Sequence, residues 1–366
     1  GTAGCERDLF SASADMQARY GFVSDVAGVR AAHLVGVSLG ESNALVAAGV
    51  WRDPAALFDE TIASRLVVDD VAGAKNAVRA FWAARGKPDL SWATVVVRAP
   101  RAKIEGAVHG RDDVFVTMWH ADDEGGGAGG DDAVDAVVDA LGGFGVPIAD
   151  APAVHSPAIG AVAARYRALH LRQSFDTDVT VWSNGVGAHG GRLTTTSEAC
   201  ADAILTQASR TVDVPALLRQ VWGAGVRTFL DVSPRGLLAQ WTKRVLPEAT
   251  VIAVDGAPLA VVKRLAEVGL VDEARFARFW KERSEPARAL KVPAHRPPQP
   301  WPAPPAEKTT MSQKMAKPTK KLPKLTHLPP ELPANTLRPA ATPVTAATTL
   351  APRTAPAVAP MTASAP

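Results

Sequence analysis

Apolar residues along the first 255 positions keep two rhythms. Runs of strand length, most of them valine-rich, stand at Ala31–Val35, Trp92–Val97, Val114–Trp119, Val146–Ala149, Val179–Trp182, Thr228–Asp231 and Val251–Ala253. Between them, three-to-four-residue spacing predicts helices over Glu41–Val50 (Ala44, Leu45 and Ala48 on one face), Ala55–Leu66, Ala102–Val108 and Asp131–Leu141. Further helices are expected at Pro157–Arg172, around Ser197–Gln207 and at Pro215–Ala224. The alternation predicts the α/β class. From about residue 90 to 150 the order is β-α-β, a doubtful strand in a glycine run, then α-β, which suits an inserted ferredoxin-like α+β module. The glycine run, Glu124 to Asp131, is expected to be a loose surface hairpin. Asp122, Asp123 and Glu124 beside it speak against a phosphate cradle, and the spacing is not that of an EF-hand.

Near residue 290 the pattern stops. The last 76 residues hold 18 of the 29 prolines, none of the glycines, and ten basic against two acidic side chains. Proline at this density favours extended polyproline II, and the apolar content is too thin to offset ordering entropy. Residues 291–366 therefore read as a Pro/Ala/Lys-rich flexible tether, disordered on its own, with a lysine cluster at Lys314–Lys324. The first 290 residues are left with a net charge of −5, no electrostatic footprint for nucleic acid. Cys5 and Cys200 cannot make a disulfide framework or a four-ligand zinc site. No apolar run approaches the length of a membrane span, and no signal-peptide pattern opens the sequence. A soluble, cytoplasmic protein is the expectation.

Gly36-Val37-Ser38-Leu39-Gly40-Glu41 follows a short apolar strand and opens a helix. G-x-S-x-G in that setting is a nucleophile elbow, the mark of a hydrolase-like α/β core. Its glycines permit a strained turn that lifts the Ser38 hydroxyl out of the sheet. The Leu39 N–H and the start of the following helix then face a developing oxyanion. A serine nucleophile needs a base, and imidazole is the side chain poised for it. Of eight histidines, His155 stands out, in Ala153-Val154-His155-Ser156-Pro157 at a strand-to-helix junction. His33, within the elbow strand, is expected to pack beneath the site. His109, His120, His170 and His189 have no comparable context.

These motifs resemble the acyltransferase (malonyl-CoA:acyl carrier protein transacylase) family of fatty acid and polyketide synthases. The family pattern runs G-H-S-x-G-E, an arginine about 25 residues on, a ferredoxin-like subdomain, and a histidine in an H-S-P context. Ser38, Arg65 in Ala63-Ser64-Arg65-Leu66, the 90–150 module and His155 occupy those places in order. Val181-Trp182-Ser183-Asn184 and Phe229 to Gly236 are similar to later family segments. Val37 in place of the elbow histidine, with Val71 to Arg79, is closer to the domains of polyunsaturated fatty acid and heterocyst-glycolipid synthases.

The resemblance implies an acyltransferase domain over residues 1–290 and a ping-pong reaction without a bound cofactor. Ser38 would take an acyl group, malonyl by the family pattern, from acyl-CoA and pass it to the phosphopantetheine thiol of an acyl carrier protein. His155 would be the base, the Leu39 N–H an oxyanion donor, Arg65 the clamp for a free carboxylate, and Gly36, Val37 and Asn184 further substrate contacts. The carrier protein and other domains of a multifunctional synthase would be the partners, with no nucleic acid and no membrane. The family's second oxyanion donor comes from a G-Q-G loop ahead of the serine that this sequence does not contain, so a fragment of a larger protein is expected, weakly active alone. The Pro152–His155 stretch matches neither the malonyl nor the methylmalonyl pattern. Two alternatives stay open: a hydrolase or thioesterase using the same serine, and a non-catalytic docking domain.

Overall fold

The computed structural model describes residues 3–271, 274, 276–278, 281 and 347–352. The first elements are helix α1 (Ala3–Gly21), strand β1 (Ala31–Val37), α2 (Leu39–Ala47), α3 (Pro54–Ser64) and α4 (Asn76–Ala83). An inserted module follows: β2 (Ala93–Val97), α5 (Arg101–Val108), β3 (Val114–Ala121), β4 (Glu124–Gly129), α6 (Asp131–Ala140) and β5 (Gly145–Pro147). The chain returns through α7 (Ala163–His170), β6 (Thr180–Ser183), β7 (Gly191–Arg192), α8 (Ser197–Ser209), β8 (Val212–Asp213) and α9 (Val214–Gly223). It ends in β9 (Thr228–Asp231), α10 (Leu237–Val245), β10 (Thr250–Ala253), α11 (Pro258–Glu267) and β11 (Ala347–Pro352).

Several helices begin where local chemistry dictates. Asp53 accepts the Ala56 N–H at 2.9 Å ahead of Pro54, and Asp213 accepts the Ala216 N–H at 3.0 Å ahead of Pro215. Each side chain satisfies an orphan donor, and proline at the first or second helical position removes another. The helix expected over Pro157–Arg172 is instead a 3₁₀ stretch, Pro157–Val162, running into α7. Val162, at φ −123° and ψ 12°, breaks the helical path between the two.

The large sheet has the order β10-β9-β11-β1-β6-β7. β1 pairs in parallel with β6 (Leu34 opposite Val181), and β9 with β10 (Leu230 opposite Ile252). β11 runs antiparallel to both β1 and β9 and joins the two pairs. Of the 291–366 segment, read from the sequence as a tether, six residues form this strand, and the rest lie outside the described residues. The physical reason is the offer made by two facing strand edges, whose unpaired N–H and C=O groups template any extended segment between them. Buried side chains fill both faces of this sheet. One cluster gathers Leu34, Leu45, Val181 and Leu230; the other gathers Val35, Trp182, Leu217 and Phe229.

The small sheet has the order β5-β2-β4-β3-β8, and its first four strands pair antiparallel throughout. Along the chain the module runs β-α-β-β-α-β. The glycine run corrects the reading as a loose hairpin: it is β4, paired on both sides. Glycine is needed there. A Cβ on Gly129 would lie 2.2 Å from the Asp113 carbonyl oxygen, and one on Gly125 would touch the Trp119 ring at 3.0 Å. Period-two patterning cannot register a strand whose side chains are absent because neighbours fill their place.

Candidate active site

β1 carries Ser38 at its C-terminal end, and α2 starts at once behind it. Ser38 sits at φ 56°, ψ −125°, a strained conformation of the kind an elbow requires. A Cβ on Gly36 would fall 2.3 Å from the Glu41 Cα, so the turn closes only over glycine. Leu39 occupies the first helical position, where the N–H has no partner within the helix.

The elbow is tied down from behind by Glu41, which is 3% exposed. Its carboxyl accepts the Ser183 hydroxyl at 2.5 Å and the Asn184 N–H at 2.8 Å. Burial pushes that carboxyl up to about 7, with the hydrogen bonds from Ser183 and Asn184 opposing the rise. Asn184 also donates from Nδ2 to the Gly36 carbonyl at 3.2 Å. The end of β6 is thereby bonded to both sides of Ser38.

His155 comes from a different part of the chain. Its backbone holds a left-handed φ of 59°, and its N–H donates to the Ala208 carbonyl at 2.6 Å. Nδ1 lies 2.7 Å from the Gln207 carbonyl, and Nε2 lies 2.8 Å from Ser38 Oγ. A carbonyl only accepts, so Nδ1 carries the proton and Nε2 is free to accept from Ser38. Burial lowers the imidazole to about 4, against a smaller opposing effect of the Gln207 carbonyl, so the ring is neutral at pH 7. The loop is fixed further by Ala153 N–H on the Val71 carbonyl at 2.8 Å and Ser156 Oγ on the Ala153 carbonyl at 2.9 Å.

Ser38, Leu39 and His155 border a cavity of about 120 Å³. Its wall is mostly apolar, with Phe10 from α1, Leu57 and Phe58 from α3, Leu66 and Val71 from the π-type turn after α3, and Leu169 from α7. Gln17, Asn43 and Gln207 add amides, and the Gln207 Oε1 is buried without a hydrogen-bond partner.

Solved structures share this architecture. A type II polyketide malonyl-transacylase, in complex with its holo acyl-carrier protein, matches at a TM-score of 0.54 and 22% identity, over 70% of this chain and 79% of that one. The acyltransferase domain from the second module of the salinomycin polyketide synthase matches at 0.58 and 21%, over 78% and 66%. The malonyl-CoA:acyl carrier protein transacylase of Synechocystis matches at 0.54 and 18%, over 69% and 78%. The chain has the acyltransferase fold. No family model and no curated protein matches the sequence itself.

On this acyltransferase fold the structure brings Ser38, Leu39 and His155 together and leaves other expected residues elsewhere. Arg65 does not reach the cavity. It caps α3 in a left-handed turn (φ 54°), and its guanidinium pairs with both Asp69 oxygens, at 2.8 and 2.7 Å, with 64% of the side chain exposed. Val37 is 1% exposed and packs in the core with Val35 and Trp182. Gly36 and Asn184 act through the elbow's backbone and do not line the cavity. His33 lies beside Trp182, whose Nε1 donates to its Nδ1 at 3.3 Å. Sequence reasoning missed the roles of Glu41 and Gln207. Glu41 was visible as the last residue of the elbow motif; Gln207 acts on His155 through a carbonyl that any residue would supply.

Proposed function

We propose that this protein is an acyltransferase that moves an acyl group from coenzyme A to the phosphopantetheine thiol of a carrier protein through an acyl-Ser38 ester. The observation that carries the reading is the 2.8 Å contact between a strained, elbow-borne Ser38 and a neutral, oriented His155. His155 Nε2 takes the Ser38 proton as Oγ attacks the thioester carbonyl. The Leu39 N–H and the N-terminus of α2 face the negative charge on the tetrahedral oxygen. The C–S bond breaks, and His155 returns its proton to the departing thiolate. In the second half the carrier's thiol gives its proton to His155 and attacks the ester. The ester C–O bond breaks, the acyl group leaves on sulfur, and Ser38 regains its proton.

Three features support transfer over the alternatives. The Nδ1 partner of His155 is a backbone carbonyl, whereas an α/β-hydrolase triad places a carboxylate there. The inserted split β-α-β module between Ser38 and His155 is foreign to a simple hydrolase. The transacylase that shares the fold was solved with an acyl-carrier protein bound, which supports a carrier as acceptor. Among the described residues no helix is long and apolar enough to cross a membrane, and no acidic or histidine cluster could hold a metal ion.

The test is intact-protein mass after incubation with acyl-CoA. An adduct is expected on the wild-type chain and absent from Ser38→Ala, with a loss in acylation rate of about 10⁴-fold or more. An adduct of equal yield on Ser38→Ala would sink the acyl-serine reading.

A further inference from the structure

The wall of the acyl cavity contains no lysine or arginine among the described residues. The nearest candidate by sequence, Arg65, is held outside by Asp69. Arg165, which follows the H-S-P loop, is likewise turned away: it pairs with Asp70 at 2.7 Å and with the Ser64 carbonyl at 3.1 Å.

Several of the polar side chains that face the cavity are bonded to one another or to the backbone. Gln17 Nε2 donates to both the carbonyl and the side-chain oxygen of Asn43, at 3.0 and 2.9 Å. Asn43 Nδ2 donates to Ser13 Oγ and the Leu39 carbonyl, each at 3.1 Å. The Thr61 hydroxyl donates to the Leu57 carbonyl at 2.7 Å. His170 Nδ1 faces the Tyr166 carbonyl at 2.8 Å, and its burial lowers the ring to about 4, leaving it uncharged at neutral pH. The Gln207 Oε1 is buried without a hydrogen-bond partner.

An ionised carboxylate entering this space would exchange water for mostly apolar side chains with no cation to receive it. A hydrocarbon chain meets the opposite situation, since Phe10, Leu57, Phe58, Leu66, Val71 and Leu169 offer apolar surface on most sides. Size sets the length. A space of about 120 Å³ is close to the roughly 150 Å³ apolar cavity that takes up benzene, which corresponds to about six carbon atoms.

We infer that the cavity selects an uncharged, short-to-medium acyl chain of about six carbons and rejects carboxylated groups such as malonyl. This rests on the acyl-serine reading and narrows it to a substrate class.

The experiment is a competition on the full chain: hexanoyl-CoA against malonyl-CoA, with Ser38 occupancy followed by mass spectrometry. Hexanoyl labelling at least about a hundredfold faster is the expected result. In parallel, calorimetry on Ser38→Ala compares binding of the two donors without any need for turnover. Malonyl labelling as fast as hexanoyl, or malonyl-CoA bound as tightly as hexanoyl-CoA, overturns the inference and leaves acyl transfer standing. A label that survives in Ser38→Ala overturns acyl transfer instead. Val67→Phe, at a wall position on the π-type turn, gives a further check: shortening the cavity is expected to move the preference from hexanoyl towards acetyl at least about tenfold. An unchanged chain-length profile would place the chain outside this cavity and count against it.

Discussion

The mouth of the cavity and its wall are built by different means. At the mouth, Ser38 and His155 both hold a positive φ, and each is braced by bonds to distant segments: Ser183 and Asn184 on the elbow's Glu41 behind one, the Gln207 and Ala208 carbonyls behind the other. The wall has no such wiring on its apolar side. Leu57 and Leu66 are held by packing. The difference teaches where each property resides. Under the proposed acyl transfer, reactivity would depend on a few directional bonds that fix two side chains at 2.8 Å, and selectivity on the volume and polarity of a surface made by many residues.

The largest effect that can test this contrast is on stability. Leu66→Ala removes a wall residue that is 1% exposed and is expected to cost about 2–5 kcal/mol in denaturant unfolding. Acetyl transfer per folded molecule should stay near the wild-type value. If the acetyl rate collapses along with stability, mouth and wall are not separable.

A smaller effect, read in pH, sharpens the account of the mouth. His155 must be neutral to act as base, and burial holds it near 4. Acylation is therefore expected to be level from pH 8 down to about 5 and to fall as pH drops through about 4, where a solvated imidazole would fail near 6.5. A midpoint near 6.5 would break the picture of a desolvated mouth. The sign for folding follows from the same shift. A lowered histidine contributes stability present above its unfolded value and lost as pH falls from 6.5 through about 4; His170 adds to it. Glu41, raised from 4.5 to about 7, works the other way: its protonated form is favoured in the fold, and stability falls as pH rises across that window.

The smallest effect is expected at Arg65. Its bridge to Asp69 is surface-exposed, so Arg65→Ala should change acylation by less than about twofold and leave the unfolding midpoint nearly unmoved. A loss specific to malonyl in that variant would restore the carboxylate clamp and blur the contrast between a wired mouth and an unwired wall.

Much of this was legible in the residues. The elbow motif announces its own local structure, because only glycine at 36 permits the close pass of Glu41 and because a strand-turn-helix is a local event. The amphipathic α6 follows from periodicity, since it buries one face, and the strand Val114–Ala121 from a short apolar run that is buried over most of its length. What lay beyond reach was whatever depends on long-range approach. The glycine strand β4 is specified by the backbones and rings that crowd it, so its own residues carry no strand signal. The partner of His155 is a main-chain carbonyl 52 positions away, which no side-chain pattern encodes. Arg65 stood at a motif's expected spacing, yet a left-handed cap turned it to solvent and to Asp69. The sequence by itself determined which residues could do chemistry, because composition and local spacing set the elements and the reactive groups. Tertiary structure alone decided which of them meet and what surrounds them, because direction, burial and charge pairing arise only when distant segments pack.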